Sequence, residues 1–245
     1  MAKAIPLAEL PVVDKTSSDI ESEIFQTGAV ILMDKPLEWT SFDVVSYVRN
    51  RIPPKKVGHA GTLDPLATGL LVLCSGKATK SISQIQELPK TYEATVKFGA
   101  STPSYDAATE PDETSEWKHI TEKALREKID KEFSGEISQV PPMYSAIKVN
   151  GERLYKLARR GEKVKRMARP VTLHKTKITD INFPFVNLSI ECSKGTYIRS
   201  VAHDLGISLE SRAHLTELRR THIGHFSVEN ALTVEELKEL CLNTG

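Results

Sequence analysis

The chain has 245 residues, 27% charged and 40% hydrophobic, with 33 basic against 32 acidic side chains and a formal net charge of +1. That length buries a sizeable core as one large domain with at most a small appendage. Near-neutrality excludes nucleic-acid binding through a global basic excess, so such a partner needs a local patch.

Cys74, Cys192 and Cys241 are odd in number and far apart, which argues against a disulfide framework and against paired zinc ligands. A reducing, cytoplasmic location is the default expectation. Apolar runs such as 70–74 are far too short to cross a bilayer, and Pro6, Glu9 and Pro11 do not resemble a secretion signal. Residues 1–26 lack periodicity and are net acidic, and read as a loosely packed N-terminal arm. Residues 29–33 form an apolar run that predicts a strand. Thr40-Ser41 caps a helix over 42–51, with Val44, Val45 and Val48 on one face, stopped by Pro53-Pro54.

Residues 70–73 read as a buried strand, 77–88 as a helix and 91–98 as a strand with Tyr92, Ala94, Val96 and Phe98 on one face. Residues 101–116 hold two prolines and many acids, and read as a loop. A helix capped by Thr121 is expected over 121–133. Val140-Pro141-Pro142 breaks the pattern before a hairpin start at 147–150 and a short helix at 152–160, ended by Gly161. Residues 171–182 and 186–192 predict paired strands, 196–210 a helix, 215–225 a strand and 233–242 a last capped helix. Without a regular βαβ alternation, this mixture predicts an α+β fold with a mixed, largely antiparallel sheet.

The stretch Gly58-His59-Ala60-Gly61-Thr62-Leu63-Asp64-Pro65-Leu66-Ala67-Thr68-Gly69-Leu70-Leu71 is the most informative in the chain. It places one carboxylate in a glycine- and proline-bounded loop. Asp-Pro is a common turn initiator, so a structural turn is the plain reading. The crowding of Gly58, Gly61, Pro65 and Gly69 around the acid instead suits a loop whose backbone approaches a ligand. A lone carboxylate acts as nucleophile, proton acceptor or cation holder. His59 alone is a weak signal.

Residues 148–169 carry nine basic side chains (Lys148, Arg153, Lys156, Arg159, Arg160, Lys163, Lys165, Arg166, Arg169) against Glu152 and Glu162, a local charge of +7. Tyr155 lies among them, with Tyr144 just ahead. A solvated helix face and a phosphate-tracking arm both fit. Residues 192–200, Cys-Ser-Lys-Gly-Thr-Tyr-Ile-Arg-Ser, bring Lys194, Tyr197 and Arg199 to a helix start, where an arginine can pair with a buried carboxylate such as Asp64 or simply cap the surface. Two short matches fail. Ser75-Gly76-Lys77-Ala78-Thr79 lacks the hydroxyl after its lysine and the earlier glycine of a phosphate-binding loop. His222-Ile223-Gly224-His225 spells a tRNA-synthetase tetrapeptide too close to the end of the chain to open a nucleotide-binding fold.

Together these pieces resemble the TruB-type tRNA pseudouridine synthases, over about residues 28–226. Residues 58–71 resemble the family's catalytic loop, Lys35-Pro36 its N-terminal motif and Lys90-Thr91-Tyr92 its Lys-x-Tyr motif. Pro142-Met143-Tyr144-Ser145-Ala146-Ile147-Lys148 resembles its thumb segment, Cys192 to Arg199 its late Gly-Thr-Tyr-Ile-Arg motif, and residues 213–220 a further block.

The resemblance implies a pseudouridine synthase fold over 27–245 with a central RNA-binding cleft and a basic thumb at about 141–169. It implies isomerisation of uridine 55 in the T-loop of tRNA, with Asp64 as the catalytic aspartate. Tyr92 would stack on the target uracil, Arg199 would position Asp64, and Tyr197 and Leu218 would line the base pocket. His59 would fill the space left by the flipped base. Lys35, Lys148, Arg159 and Arg160 are expected RNA contacts. No metal, no organic cofactor, no membrane and no protein partner is implied beyond the tRNA T-arm and elbow. The residues after Gly99 depart from the family pattern, reading Ser101-Thr102-Pro103-Ser104-Tyr105-Asp106, and Ser211-Arg212-Ala213 stands where a glycine turn is common. The C-terminal PUA domain of many members is expected to be missing. A non-catalytic tRNA-binding or tRNA-folding module is the alternative, using the same thumb without the acid.

Overall fold

A computed structural model describes residues 4–18, 20–53, 56–149 and 151–242. Residues 1–3 of the expected arm, Pro54 of the expected helix stop, Asn150 of the hairpin and residues 243–245 lie outside the described residues. The chain divides into two compact units, Met1–Thr91 with Arg219–Gly245, and Tyr92–Leu218.

In the first unit, Val30–Lys35 pairs antiparallel with Ala67–Ser75, which also pairs antiparallel with Val57–His59. Both central strands read as continuous apolar runs because both of their faces are covered. Ile31, Met33, Leu71 and Leu73 join one core with Val44, Val45 and Val48, whereas Val30, Leu32, Leu70, Val72 and Cys74 join a second core with Ala78 and Ile85. The period of two along each strand divides its side chains between the two cores.

The helix Ser41–Arg49 is stapled at its start by a capping box. The Thr40 hydroxyl accepts from the Asp43 N–H, and the Asp43 carboxylate accepts from the Thr40 N–H. Its β-branched valines are mediocre helix formers. Burying each of them contributes about 1.5–3 kcal/mol, which outweighs that preference.

Among the described residues, 4–18 and 20–26 carry packed side chains rather than forming a wholly loose arm. Val12–Val13 adds a parallel strand to Val30 and Ile31, and Leu10, Val13, Ile20 and Phe25 are buried in the two cores. Residues 77–88 hold two elements, a 3-10 turn Gly76–Ser81 and the helix Ile82–Glu87.

The second unit is built on the hairpin Arg169–Asn182 and Phe185–Cys192, with Gly135–Gln139 antiparallel along residues 169–173. Gly135–Gln139 went unseen in the sequence because Gly-Glu-Ile-Ser-Gln is polar, and its partner strand, not its own pattern, makes it a strand. Lys90–Phe98 turns Ala94, Val96 and Phe98 inward as expected. The helices Glu122–Glu132 and Ile198–Ser208 bury Leu125, Ile129, Val201, Ala202 and Leu205 in that same core. Lys90–Phe98 and Ala213–Ile223 are the strands in which the chain passes from one unit to the other. The fold is α+β with mixed pairing. No helix among the described residues is long and apolar enough to cross a membrane.

Candidate active site

Asp64 opens a turn. Its carbonyl accepts from the Ala67 N–H at 3.0 Å, with Pro65 fixing the second position. The backbone before it is pinned by Ser41 at the helix start, whose hydroxyl accepts from the Leu63 N–H at 2.9 Å and lies 3.2 Å from the Leu63 carbonyl. Beyond the acid, the Pro65 carbonyl accepts from the Glu38 N–H at 2.9 Å. At Gly69, with φ +99°, an added Cβ would lie 2.3 Å from the Arg220 carbonyl oxygen, so only glycine permits this approach. The Asp64 side chain itself is half-buried.

Lys35 is not on the surface where an RNA contact was expected. It is 0% exposed, and its ammonium donates to the carbonyls of Pro36 (2.8 Å), Trp39 (2.6 Å) and Pro65 (3.2 Å). An ammonium has three N–H donors, and these three acceptors use them all. Burial pushes its pKa down to about 8; the Asp64 charge opposes that shift, so the amine lies within electrostatic reach of the acid. Lys35 therefore ties the turn at Pro65 to the segment that leads into the helix Ser41–Arg49.

The half-buried His59 ring is held below the ordinary imidazole range, first by burial and then by the Arg220 guanidinium, so it is neutral at pH 7. Arg219 grips the Asp34 carboxylate with two bonds of 2.6 and 3.1 Å and reaches the Thr68 hydroxyl at 3.4 Å. This clamp on the turn's exit strand was not read from the sequence, because its three residues are far apart along the chain.

The second unit holds Tyr92, Tyr197, Arg199 and Leu218. Tyr92 and Leu218 are partly buried against its core. Tyr197 precedes the helix Ile198–Ser208 and is bracketed by the Gln139 amide, which donates to the Tyr197 carbonyl at 3.1 Å and accepts from its N–H at 2.8 Å. Arg199 is 4% exposed, and it donates to the carbonyls of Ser104 (2.9 Å) and Tyr144 (2.8 Å). Its Nε lies 3.5 Å from the Asp106 carboxylate. Asp106 belongs to the loop that departs from the family pattern, and Ser104 fixes its carboxylate at 2.5 Å. No local pattern marked this acid as a partner of Arg199.

The basic thumb starts as the small hairpin Lys148–Val149 with Glu152–Arg153 and continues into the helix Leu154–Arg159, anchored by the buried Leu154 and Leu157. Lys148, Arg153, Lys156, Arg159, Lys163 and Lys165 are exposed. Arg160 is also exposed, but its guanidinium holds both Glu152 and Glu162, so it ties the hairpin to the end of the helix. Among the described residues, no group of three or more His, Cys, Asp or Glu side chains is placed to hold a metal ion.

The sequence profile of the TruB family pseudouridylate synthase N-terminal domain matches residues 49–198, and that of the tRNA pseudouridylate synthase B C-terminal domain matches 199–244. The chain is 49% identical over 224 residues to the tRNA pseudouridine synthase B of Flavobacterium johnsoniae, covering 89% of this chain and 97% of that one. It is 47% identical over 221 residues to its namesake in Phocaeicola vulgatus, covering 88% and 94%.

Among solved structures, a chain of a Cbf5-Nop10-Gar1 complex superposes with a TM-score of 0.70 at 29% identity, over 90% of this chain and 56% of that one. A chain of an H/ACA RNP bound to a substrate RNA containing 2'-deoxyuridine gives 0.65 at 26%, over 92% and 59%. The chain thus spans little more than half the length of those two. With an aspartate-centred turn on one unit and matches running from residue 49 to 244, the chain belongs to the TruB family of pseudouridylate synthases.

Proposed function

We propose that this chain converts uridine to pseudouridine at position 55 in the T-loop of tRNA, with Asp64 as the catalytic group. The observation that carries this reading is the turn at Asp64. Ser41 and Lys35 fix its backbone on both sides of the acid, while the carboxylate stays on a half-buried side chain. The relatives named tRNA pseudouridine synthase B supply the substrate class.

In the reaction the N1–C1′ bond breaks and a C5–C1′ bond forms on the same base. The proton on C5 leaves, N1 gains one, and no oxidant or group donor is consumed. The target base is stacked in the T-loop, so it is flipped out before reaction. Asp64 then acts at C1′, at C6 or on the sugar's 2′ proton. Arg199 is the residue assigned to keep Asp64 ionised against the rise in pKa that burial causes.

The detached uracil turns within a pocket walled by Tyr92, Tyr197 and Leu218, with Tyr92 also taking the C5 proton, and His59 fills the space the base has left. Lys148, Arg159 and the rest of the exposed thumb read the phosphates and shape of the T-arm. This assigns residues 27–245 to one catalytic region, with its thumb at about 141–169.

The test uses a T-arm RNA carrying 5-tritiated uridine. One equivalent of tritium should be released per target uridine, and with unlabelled T-arm RNA the product should have the mass of the substrate. Bound RNA without tritium release identifies a binding or folding module. A change in mass identifies a hydrolase.

A further inference from the structure

Two adjacent arginines on the strand Ala213–Ile223 point to opposite faces and meet different fates. Arg219 is part-exposed and holds the Asp34 carboxylate. Arg220 is 1% exposed and binds backbone only, with Nε donating to the Leu70 carbonyl at 2.8 Å and Nη2 to the Gly61 carbonyl at 3.1 Å. No carboxylate among the described residues forms an ion pair with it. A guanidinium is always charged, and burying one without a carboxylate carries a desolvation cost that carbonyl dipoles offset only in part.

Both hydrogen-bond acceptors of this cation belong to the loop of Asp64. Gly61 and Leu70, its two acceptors, lie on the approach and exit of that turn. Gly61 has φ +128°, and a Cβ there would lie 3.6 Å from Nη1, so the loop backbone rests on the guanidinium. At Gly69 the loop meets the backbone of Arg220 as well. The charge of Arg220 is also felt at both His59 and Lys35, and Lys35 in turn feels Asp64.

We propose that Arg220 is a positioning residue of the isomerisation: its guanidinium holds the Gly61 arm of the Asp64 loop in place and brings to that loop a positive charge with no ion-pair partner. The inference rests on the activity proposed above. It separates two features that a purely structural arginine would combine, the fork that bonds the loop and the charge that favours ionised Asp64.

The test compares wild type, Arg220→Met and Arg220→Lys on tritiated T-arm RNA. It reads the single-turnover rate, the RNA dissociation constant and the melting temperature. Arg220→Met is expected to slow turnover by about 100-fold, the usual scale for a misplaced catalytic group, with RNA affinity within about 3-fold of wild type. Arg220→Lys keeps the charge without the fork, and is expected to regain about 10-fold of that loss.

Folded Arg220→Met turning over at the wild-type rate overturns the proposal, as does a loss confined to RNA affinity. If Arg220→Met fails to fold, Arg220→Lys decides alone. Slower turnover with unchanged affinity supports the assignment, and wild-type turnover overturns it. No tritium release by wild type itself overturns the proposed activity and this inference together. Normal wild-type release with an equally fast Arg220→Met overturns the inference only.

Discussion

The Asp64 turn and the basic thumb are held by opposite means. The turn is fixed by partners far along the chain, with Ser41 22 residues from Leu63, Lys35 30 from Pro65 and Arg220 159 from Gly61. The hairpin and helix of the thumb, residues 148–162, are fixed by neighbours, with Arg160 gripping Glu152 8 residues away and Glu162 2 residues away. A site whose geometry depends on distant contacts inherits the rigidity of the whole unit. A segment held by local contacts can change its charges without disturbing anything else. The difference separates the group assigned to chemistry from the groups assigned to grip, and substitutions in the two regions should therefore fail differently.

A pair of glycines gives the sharpest contrast. Both Gly69 (φ +99°) and Gly161 (φ +76°) have left-handed backbone, but an added Cβ at Gly69 lies 2.3 Å from the Arg220 carbonyl oxygen, whereas at Gly161 nothing lies within 4 Å. Gly69→Ala is expected to cost more than about 4 kcal/mol, because neither backbone can yield. Gly161→Ala should cost only about 1–2 kcal/mol of backbone strain. Urea unfolding of the two variants checks this, and equal losses would erase the proposed distinction.

Next in size is Lys35→Met, which strips three carbonyls of their donor. Turnover is expected to fall by about 100-fold and stability by about 3 kcal/mol, with RNA affinity unchanged. The pH dependence adds a second reading. The folded pKa is about 8 against 10.5 for an unperturbed lysine. Between these values the unfolded chain binds more protons, so the lysine's contribution to stability rises with pH. The rate falls over the same range, because the neutral amine no longer has three protons for three carbonyls. Denaturant melts and single-turnover rates from pH 7 to about 9.5 should move in opposite directions in wild type. In Lys35→Met the stability term should vanish.

The thumb should give the smallest structural effect. Arg159→Ala combined with Lys163→Ala is expected to weaken T-arm binding by about 10-fold and to lower the salt slope of affinity by about 1.5. Turnover at saturating RNA and the melting temperature should stay at wild-type values. Slower chemistry in this double variant would mean that the thumb also orients the base.

Much of this was legible where local rules decide. Thr40 and Asp43 announce the helix cap, the alternation of Ala94, Val96 and Phe98 announces the strand, and the glycines and proline around Asp64 announce an unusual turn. The fate of Lys35 was not legible. Whether a lysine meets solvent or three carbonyls depends on how Pro65 folds back over it, and no periodicity encodes that. Asp106 escaped for the same reason, since its approach to Arg199 depends on a loop far away in sequence. The burial of Leu10, Val13, Ile20 and Phe25 was not legible, because the strand Val12–Val13 is too short to show a pattern of its own.

The central claim is that the Asp64 carboxylate performs the isomerisation, and Asp64→Asn on tritiated T-arm RNA tests it most directly. The variant should fold, bind the RNA with near wild-type affinity and release no tritium above background. Release at a rate near that of wild type would contradict it.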